Sequence, residues 1–132
     1  MIETCPSCQT QSIEPGTTDL TRTFGGVTFE AEVNVDLCTE CAEWFLSFEE
    51  GQRFDVAVAR ALAEYGIGTP DAFKWMRKTV GLRAVDLARL IGVTPETVSR
   101  WETGKVPVER RALALLQCLV VEHAEGSTAT LD

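Results

Sequence analysis

The chain has 132 residues, a formal net charge of −8 and a mean hydropathy of +0.01, and 45% of its residues are hydrophobic. This size allows one compact domain or two small ones, and no apolar run approaches the ~20 residues of a membrane span. The first residues, Met1–Cys5, lack the basic start of a signal peptide, so the five cysteines predict a reducing, cytoplasmic compartment.

Charge is distributed unevenly along the chain. Residues 1–65 carry three basic and twelve acidic side chains, a net charge of −9, whereas residues 71–111 carry nine basic and five acidic ones, a net charge of +4. A basic half beside an acidic half is typical of a DNA-binding module joined to a second binding module. Accidental clustering in a generally acidic protein is the alternative.

The N-terminal half contains two Cys-x-x-Cys pairs separated by 29 residues. Two such pairs can direct four thiolates at one ion, which suits a tetrahedral structural Zn²⁺ site. The predicted zinc ligands are Cys5, Cys8, Cys38 and Cys41. Four protein ligands leave no open position, so hydrolytic zinc chemistry is not expected. A rubredoxin-type iron centre and a redox dithiol at one pair are the alternatives.

Between the cysteine pairs the hydrophobic period is two. Apolar residues alternate with acidic or polar ones at Val27, Phe29, Ala31, Val33, Val35 and Leu37. This alternation predicts a half-buried strand. A shorter strand around Leu20 and Phe24 precedes it, and Gly25-Gly26 can form the two-residue turn of a hairpin. The outward carboxylates are either a solvated face or a docking surface for a basic partner.

After Cys41 the pattern becomes helical. Ser47-Phe-Glu-Glu50 is a capping-box sequence, and helical spacing continues through Phe54, Val58, Ala61, Leu62 and Tyr65. We expect the preceding aromatic residues, Trp44, Phe45 and Phe48, to fill a core as well. Gly66-Ile-Gly-Thr-Pro70 breaks the pattern, which predicts one domain over residues 1–66 and a second over residues 67–132.

The C-terminal half begins with a second helix signal, Thr69-Pro70-Asp71, in which Thr69 can cap the helix and Pro70 suits its first position. The spacing predicts that Phe73, Met76 and Val80 face the core. The same spacing places Lys74, Arg77 and Lys78 outside. Trp75 could pack on the linker or lie at an interface.

Two short helices joined by a tight corner are predicted next. The first covers about Ala84–Ile91, with an apolar face of Leu87, Ala88 and Ile91, and the second covers about Pro95–Thr103. Gly92 allows the corner, and Thr94 can cap the second helix. Val98 and Trp101 point back onto the first helix. Glu96, Thr97 and Arg100 then project from the opposite side, a geometry that fits a DNA major groove.

This segment resembles the helix-turn-helix of phage-repressor-like (XRE) regulators. The matching residues are Leu82, Leu87, Ala88, Gly92, Val93, Val98, Ser99, Glu102 and Gly104. The Thr-Gln pair of that pattern is Arg83-Ala84 here, so the usual cap and a phosphate-binding glutamine are absent, and Arg83 could take over the phosphate contact. Two core helices of an unrelated helical domain are the alternative.

Nearly the whole chain resembles the MqsA (YgiT-type) antitoxin family, in which a zinc domain precedes such a helix-turn-helix. The matching residues before the helix-turn-helix are Cys5, Pro6, Cys8, Arg22, Phe24, Gly26, Cys38, Cys41 and Glu43. The resemblance implies a dimeric autorepressor whose zinc domain binds and neutralises a cognate RNase toxin. Such toxins tend to be basic, which would fit the acidic N-terminal half.

Six residues are candidate DNA contacts: Arg83, Thr94, Glu96, Thr97, Arg100 and Lys105. Arg100 is the first choice for a base contact, because its guanidinium fork matches guanine O6 and N7. Glu96 stands where the family has a base-reading Asn. Its carboxylate could accept from cytosine N4, or simply favour the helix dipole. Thr97 could touch a thymine methyl or a phosphate, and Arg83 and Lys105 would hold phosphates.

A long last helix is predicted over Val108–Glu122. Its large apolar residues cover more than one stripe, so some should close the helix-turn-helix core and others should meet a second protomer on a palindromic operator. We expect Cys118 to be a small core residue and His123 to be exposed just beyond the helix. Gly126–Asp132 is predicted to be a frayed polar tail.

The predicted fold is α+β, with a small zinc-bound β-hairpin domain followed by an all-α phage-repressor-like helix-turn-helix domain. The predicted function is that of a sequence-specific repressor, the antitoxin of a type II toxin–antitoxin pair. The alternative is a free-standing zinc-containing XRE-family regulator without a toxin. An enzyme is not expected, because the chain has one histidine and no Ser/His/Asp set, paired catalytic acids or phosphate-binding glycine loop. A redox dithiol at Cys5 and Cys8 is the remaining enzymatic hypothesis.

Overall fold

The computed structural model describes residues 2–130, with side chains through Gly126. Within these residues, a three-stranded sheet of order β1-β2-β3 is followed by five helices, so the α+β class is confirmed. The elements are β1 (Ile13–Phe24), β2 (Val27–Cys38), β3 (Trp44–Phe45), α1 (Phe48–Glu64), α2 (Pro70–Thr79), α3 (Ala84–Ile91), α4 (Pro95–Glu102) and α5 (Arg110–Thr130). None of the described helices is both long and apolar enough to cross a membrane.

Two compact units divide the chain. Unit 1 comprises Met1–Thr23 and Thr28–Phe54, and unit 2 comprises Phe24–Val27 and Asp55–Asp132. The turn of the hairpin and the second part of α1 are therefore grouped with the helices of unit 2. Independent folding on either side of residue 66 stays a prediction.

The hairpin turn has the predicted two residues. Gly25 and Gly26 adopt φ values of +54° and +88°, which an L side chain rarely tolerates and which glycine adopts at little cost. The upstream strand was expected to be the shorter one, but β1 and β2 each have twelve residues. Four of the twelve residues of β1 are threonines, which favour strands without the hydrophobic alternation that reveals β2.

The alternation of β2 is confirmed, except that Val27, at the start of the strand, is 43% exposed. Val33 and Val35 are buried, whereas Glu30, Glu32 and Asn34 are exposed. The carboxylates of Glu30 and Glu32 therefore lie on an exposed face of unit 1.

The chain after Cys41 differs from the prediction. Trp44 and Phe45 form the short strand β3, which pairs antiparallel with β2 through Asp36–Phe45 and Leu37–Trp44. Helix α1 then begins at Phe48, directly after the predicted cap Ser47. Pairing with β2 leaves Trp44 42% exposed. Phe48, the first residue of α1, is 76% exposed.

Helix α1 has the predicted core face for most of its length. Phe54, Val58 and Leu62 are buried, whereas Tyr65 lies one residue past the end of α1 and is 76% exposed, so its predicted core position is wrong. The Ser47 hydroxyl accepts from the Glu50 N–H at 3.2 Å, as the capping box predicts. The Glu50 carboxylate accepts from Asn34 and Arg53.

The core of unit 2 lies among α2, α3, α4 and α5. Its fully buried side chains include Phe73, Met76, Leu87, Ala88, Val98 and Leu116. The Trp101 ring meets the Phe73 ring edge-on, with centroids 5.9 Å apart. Thr69 caps α2 by accepting from the Ala72 N–H, as predicted.

Trp75 packs inside unit 2. Its indole N–H donates to the Asp55 carbonyl oxygen at 3.1 Å, and its ring meets that of Phe24 edge-on with centroids 5.7 Å apart. Phe24, from the hairpin turn, is only 4% exposed. An aromatic contact between residues so distant in sequence explains why the position of Trp75 could not be assigned from local pattern.

Helix α5 is longer than predicted and has a different outer face. Its buried positions recur every fourth residue at Ala112, Leu116, Val120 and Ala124. Cys118 lies on the opposite side and is exposed, so its expected core position is wrong. His123 is exposed as predicted but lies within the helix. Residues 126–130 continue α5 where a frayed tail was expected, and residues 131–132 lie outside the described residues.

Candidate metal centre and nucleic-acid interface

The four predicted ligand sulfurs converge in unit 1. The Sγ atoms of Cys5, Cys8, Cys38 and Cys41 all lie within 4.8 Å of one another. The Cys5–Cys41 and Cys8–Cys38 sulfur pairs are each 3.6 Å apart. A tetrahedral ion with Zn–S bonds of ~2.3 Å separates its sulfurs by ~3.8 Å, whereas a disulfide requires ~2.05 Å. The cluster could therefore hold one metal ion, and its four thiols are free of disulfides.

Each cysteine pair is presented by the same loop geometry. The residue after the second cysteine has a left-handed backbone, with φ of +62° at Gln9 and +64° at Ala42. Its N–H donates to the carbonyl of the first cysteine, at 2.8 Å in the first loop and 2.9 Å in the second. The first cysteine N–H donates in turn to Thr10 or Glu43, both at 2.9 Å. Two copies of one turn thus aim two pairs of sulfurs at a common point.

Thr10 joins the cluster, and sequence reasoning missed it. Its hydroxyl lies 3.1 Å from the Cys8 sulfur and 3.7 Å from the Cys38 sulfur. Bonding to Thr10 lowers the pKa of Cys8. The Cys41 backbone N–H is the largest of the causes that lower the pKa of Cys38 to about 6. A polar residue two positions after the second cysteine is the only sequence signal for this role.

Cys41, the fourth predicted ligand, holds its proton firmly when no cation is bound. A backbone bond from Glu43 lowers the pKa of Cys41, but burial and the three neighbouring thiols outweigh it and raise that pKa to about 12. Four sulfurs this close repel as thiolates, and a divalent cation removes that repulsion. The convergence of both pairs favours a shared metal site over a dithiol at one pair alone.

The corner between α3 and α4 has the geometry that the sequence predicts. Gly92 ends α3 with φ of +83°, and its N–H donates to the Ala88 carbonyl at 2.8 Å. The Thr94 hydroxyl caps α4 by accepting from the Thr97 N–H at 3.2 Å and also bonds the Thr97 hydroxyl at 2.9 Å. Helix α4 ends at Glu102, and Thr103, predicted as its last residue, is the C-cap.

Helix α4 separates an inner and an outer face. Val98 and Trp101 are buried, with 0% and 3% exposure. Glu96 and Arg100 are exposed and Thr97 is half-buried. Among the residues whose side chains are described, Arg100 forms no ion pair, so its guanidinium is available to an external acceptor. Lys105 is exposed just beyond the helix, and Thr94 is exposed at its start.

Arg83 has a different environment from Arg100. Its guanidinium donates to both Asp86 carboxylate oxygens, at 3.0 and 3.1 Å, and Asp86 also accepts from the Arg83 backbone N–H at 3.1 Å. Asp86 therefore accepts from the backbone N–H of the N-cap residue of α3. The Arg83 guanidinium cannot cap this helix, because it has no hydrogen-bond acceptor. The same bonds lower the pKa of Asp86 and raise that of Arg83. Both side chains remain partly open to solvent.

A buried ion pair anchors the end of α4. Arg77 was predicted to point outward, but it is 8% exposed and donates two bonds to the Glu102 carboxylate, at 2.5 and 2.9 Å. A third bond, at 2.9 Å, reaches the Leu82 carbonyl before α3. The partners are 25 residues apart, so helical spacing alone could not have predicted the pair. Arg77 therefore links α2 to the end of α4 and to the residue before Arg83 at the start of α3.

Comparison with known protein families identifies the chain. The model of the MqsA family, described as the antitoxin component of a bacterial toxin–antitoxin system, matches residues 3–126. The chain belongs to this family. No curated protein sequence gives a significant match. Membership of the MqsA family makes the chain an antitoxin and implies a toxin as its partner.

Proposed function

We propose that this MqsA-family chain is an autorepressor that reads its operator as a dimer through α4, while unit 1, held by Zn²⁺, binds the toxin. The observation that carries the DNA-binding part is the outer face of α4. That helix is seated on the core by Val98 and Trp101, and it presents Arg100 and Glu96 to solvent. A short helix packed on one side and polar on the other fits the major groove.

Arg100 reads a base in this proposal. Its five N–H donors can form a bidentate pair with guanine O6 and N7, and no carboxylate among the described side chains competes for them. Glu96, one helical turn before Arg100, could accept from cytosine N4. Thr97 shares its hydroxyl with the Thr94 cap, which leaves its methyl group for a thymine contact.

Arg83 and Lys105 contact the phosphate backbone of the DNA in this proposal. Asp86 uses the Nε and one Nη donor of Arg83, and the other Nη group can still donate to a phosphate. Lys105 is an exposed point charge just beyond the carboxyl end of α4. Such contacts contribute affinity and salt dependence but no sequence information.

Arg100→Ala is expected to remove the preference for the operator while weak, salt-sensitive binding remains. Loss of one bidentate base contact costs about 1–3 kcal/mol per half-site. Lys105→Ala is the matched control, since it also removes one positive charge. It should weaken all sequences about equally and reduce the salt slope by about 1 per chain. Titration of operator and scrambled duplexes at several salt concentrations measures both. Unchanged sequence preference in Arg100→Ala would refute its assigned role.

We assign toxin binding to unit 1. Its sulfur cluster suits Zn²⁺ because four thiolates in a tetrahedron are the ligand set of structural zinc sites. Its strand β2 presents Glu30 and Glu32 to solvent, and complementary charge speeds encounter with a basic partner. The structural role of the metal follows from a full set of protein ligands with no position left for substrate.

The toxin is expected to be the product of a neighbouring reading frame for a small basic protein, which should form a complex on co-expression. Glu30→Lys/Glu32→Lys should slow association at least about tenfold at low salt, because a complementary field becomes repulsive. Glu3→Lys/Glu40→Lys makes the same charge change at exposed positions outside β2 and should have a smaller effect. Surface plasmon resonance measures the rates. Equal effects of the two variants would contradict docking on β2, and no complex would favour a free-standing regulator.

A further inference from the structure

The segment from Thr10 to Ser12 runs between the two cysteine loops of unit 1. The Cys5 N–H donates to the Thr10 carbonyl at 2.9 Å, and the Thr39 N–H donates to the Ser12 carbonyl at the same distance. The left-handed backbone of Gln9, with φ of +62°, turns the chain back toward the sulfurs. These main-chain features fix the position of Thr10 without using its side chain, so its hydroxyl is available to the sulfur cluster.

The Thr10 hydroxyl contacts one sulfur from each cysteine pair. Its Oγ1 atom lies 3.1 Å from the Cys8 sulfur and 3.7 Å from the Cys38 sulfur. A thiolate that binds a metal ion has no proton, so the hydroxyl can only be the donor in both contacts. Its single proton is then shared between the two sulfurs, with the shorter contact to Cys8.

The other two sulfurs lack such a donor. Among the side chains that the structure describes, only thiols form side-chain hydrogen bonds with Cys5 and Cys41, whose sulfurs are 3.6 Å apart. Cys5 and Cys38 are buried and Cys8 is half-buried, whereas Cys41 is exposed. Cys41 is therefore the sulfur of the cluster that solvent reaches most easily and that no hydroxyl supports.

We infer that the Thr10 hydroxyl donates to the Cys8 and Cys38 sulfurs in the metal-loaded site and slows metal release, and that Cys41 is the first of the four sulfurs to react. The inference rests on the proposed function, because it concerns the site in which unit 1 holds Zn²⁺. A hydrogen bond to a ligand sulfur orients it and withdraws part of its charge, and less charge makes a weaker nucleophile. Thr10 is thus a positioning residue for the metal site and not a ligand.

Thr10→Val, which keeps the shape of the side chain without its hydroxyl, tests the donor. In the full-length, zinc-loaded chain, transfer of Zn²⁺ to an excess of a coloured chelator should become about tenfold faster, since contacts of this kind change metal affinity about 10–100-fold. Thr10→Ser keeps the hydroxyl and should stay within about threefold of the original rate. Absorbance of the chelator measures the rates, and circular dichroism verifies the fold.

Thr39→Val is the matched control for Thr10→Val. Thr39 lies beside Cys38, but its hydroxyl donates to the Ser12 carbonyl at 3.3 Å and to no sulfur. Its removal should leave the rate of zinc transfer within about twofold of the original. Equal acceleration by Thr39→Val and Thr10→Val would overturn the inference, because any lost threonine in these loops would then have the same effect.

Cobalt substitution separates the hydrogen bond from a change in packing. With Co²⁺ in place of Zn²⁺, the sulfur-to-metal charge-transfer absorption should move to longer wavelength in Thr10→Val, because the sulfur electrons are less stabilised. Thr10→Ser should restore the original spectrum. A loss of packing alone would speed metal release and leave this absorption in place, so an unmoved band would overturn the inference.

Limited alkylation of the zinc-loaded chain by iodoacetamide tests the order of reaction. The cysteine sulfur forms a bond with the methylene carbon of the reagent, and iodide leaves. Cys41 should be modified first among the four sulfurs, with exposed Cys118 of unit 2 as the reference for access to reagent. Modification of Cys8 relative to Cys41 should rise at least about threefold in Thr10→Val. Peptide mass spectrometry measures both.

Two further outcomes distinguish this inference from the proposed function. If the original chain holds Zn²⁺ but another of the four sulfurs reacts before Cys41, or Thr10→Val releases zinc at the original rate, only the inference is refuted. If the original chain binds no Zn²⁺, the proposed metal site fails and the inference fails with it.

Discussion

Cys38→Ser is expected to abolish stoichiometric metal binding and to unfold unit 1, while α2 to α5 remain helical. Unit 1 has about 50 residues and few buried apolar side chains, among them Val33, Val35 and Phe54. A core of this size rarely supplies more than about 3–5 kcal/mol, whereas structural zinc binding contributes about 10–16 kcal/mol in small domains. Elemental analysis measures the bound metal, and amide NMR spectra report the two units separately.

The helices of unit 2 are expected to stay folded in the Cys38→Ser variant, because they have a core of their own. Phe73, Met76, Leu87 and Leu116 are fully buried among α2, α3 and α5, and the metal ligands all lie in unit 1. We therefore expect the loss of dispersed resonances to be confined to unit 1. A single cooperative transition that unfolds both units would contradict independent folding of the two halves.

Ala42→Gly is the matched control for the metal prediction. It changes the same loop without removing a sulfur, and the φ of +64° at Ala42 suits glycine better than alanine. We expect full metal content and a stability equal to or about 0.5–1 kcal/mol above that of the original chain. Loss of metal from this control would show that loop perturbation alone explains the effect of Cys38→Ser. Full metal retention in Cys38→Ser would show that Cys38 is not an essential ligand.

The features that the sequence predicts correctly are those governed by local geometry. Two glycines at the hairpin turn, the alternation of β2 and the caps Thr69 and Thr94 each depend on residues within a few positions of one another. The four cysteines seem to break this rule, because the two pairs lie far apart in the sequence. Each pair is a local turn, and the chemistry of one ion requires that the two turns meet.

The features that the sequence does not predict depend on distant partners. Trp44 is predicted to fill a core, but it pairs with β2 as a strand residue and is 42% exposed. Cys118 lies in an apolar run, and only the packing of Ala112 and Leu116 decides that it faces outward. The exposed row of Glu30 and Glu32 is visible from alternation, yet alternation carries no information about which partner covers it.

Arg77 is the clearest case, because an arginine between exposed lysines on a helix is ordinarily solvated. Arg77→Met is expected to destabilise unit 2 by about 3–5 kcal/mol, since Glu102 would be left buried and unpaired. The side chains of Arg77 and Glu102 are only 9% and 7% exposed, so water cannot replace the lost donors easily. Urea unfolding, followed by circular dichroism, measures the loss. Arg60→Met is the matched control, because its partner Glu64 is 55% exposed, and it should cost less than about 1 kcal/mol.

A double substitution separates the cost of an unpaired charge from the value of the pair. Arg77→Met/Glu102→Leu removes both charges and should recover most of the stability, because an apolar pair of similar volume often replaces a buried ion pair without loss. If the pair also fixes the end of α4, the double variant should be stable yet bind the operator more weakly, since the three bonds to Glu102 and the Leu82 carbonyl are gone. Full operator affinity in the stable double variant would show that packing alone orients α4. A loss below about 1 kcal/mol in Arg77→Met would show that Glu102 reaches solvent once its partner is removed.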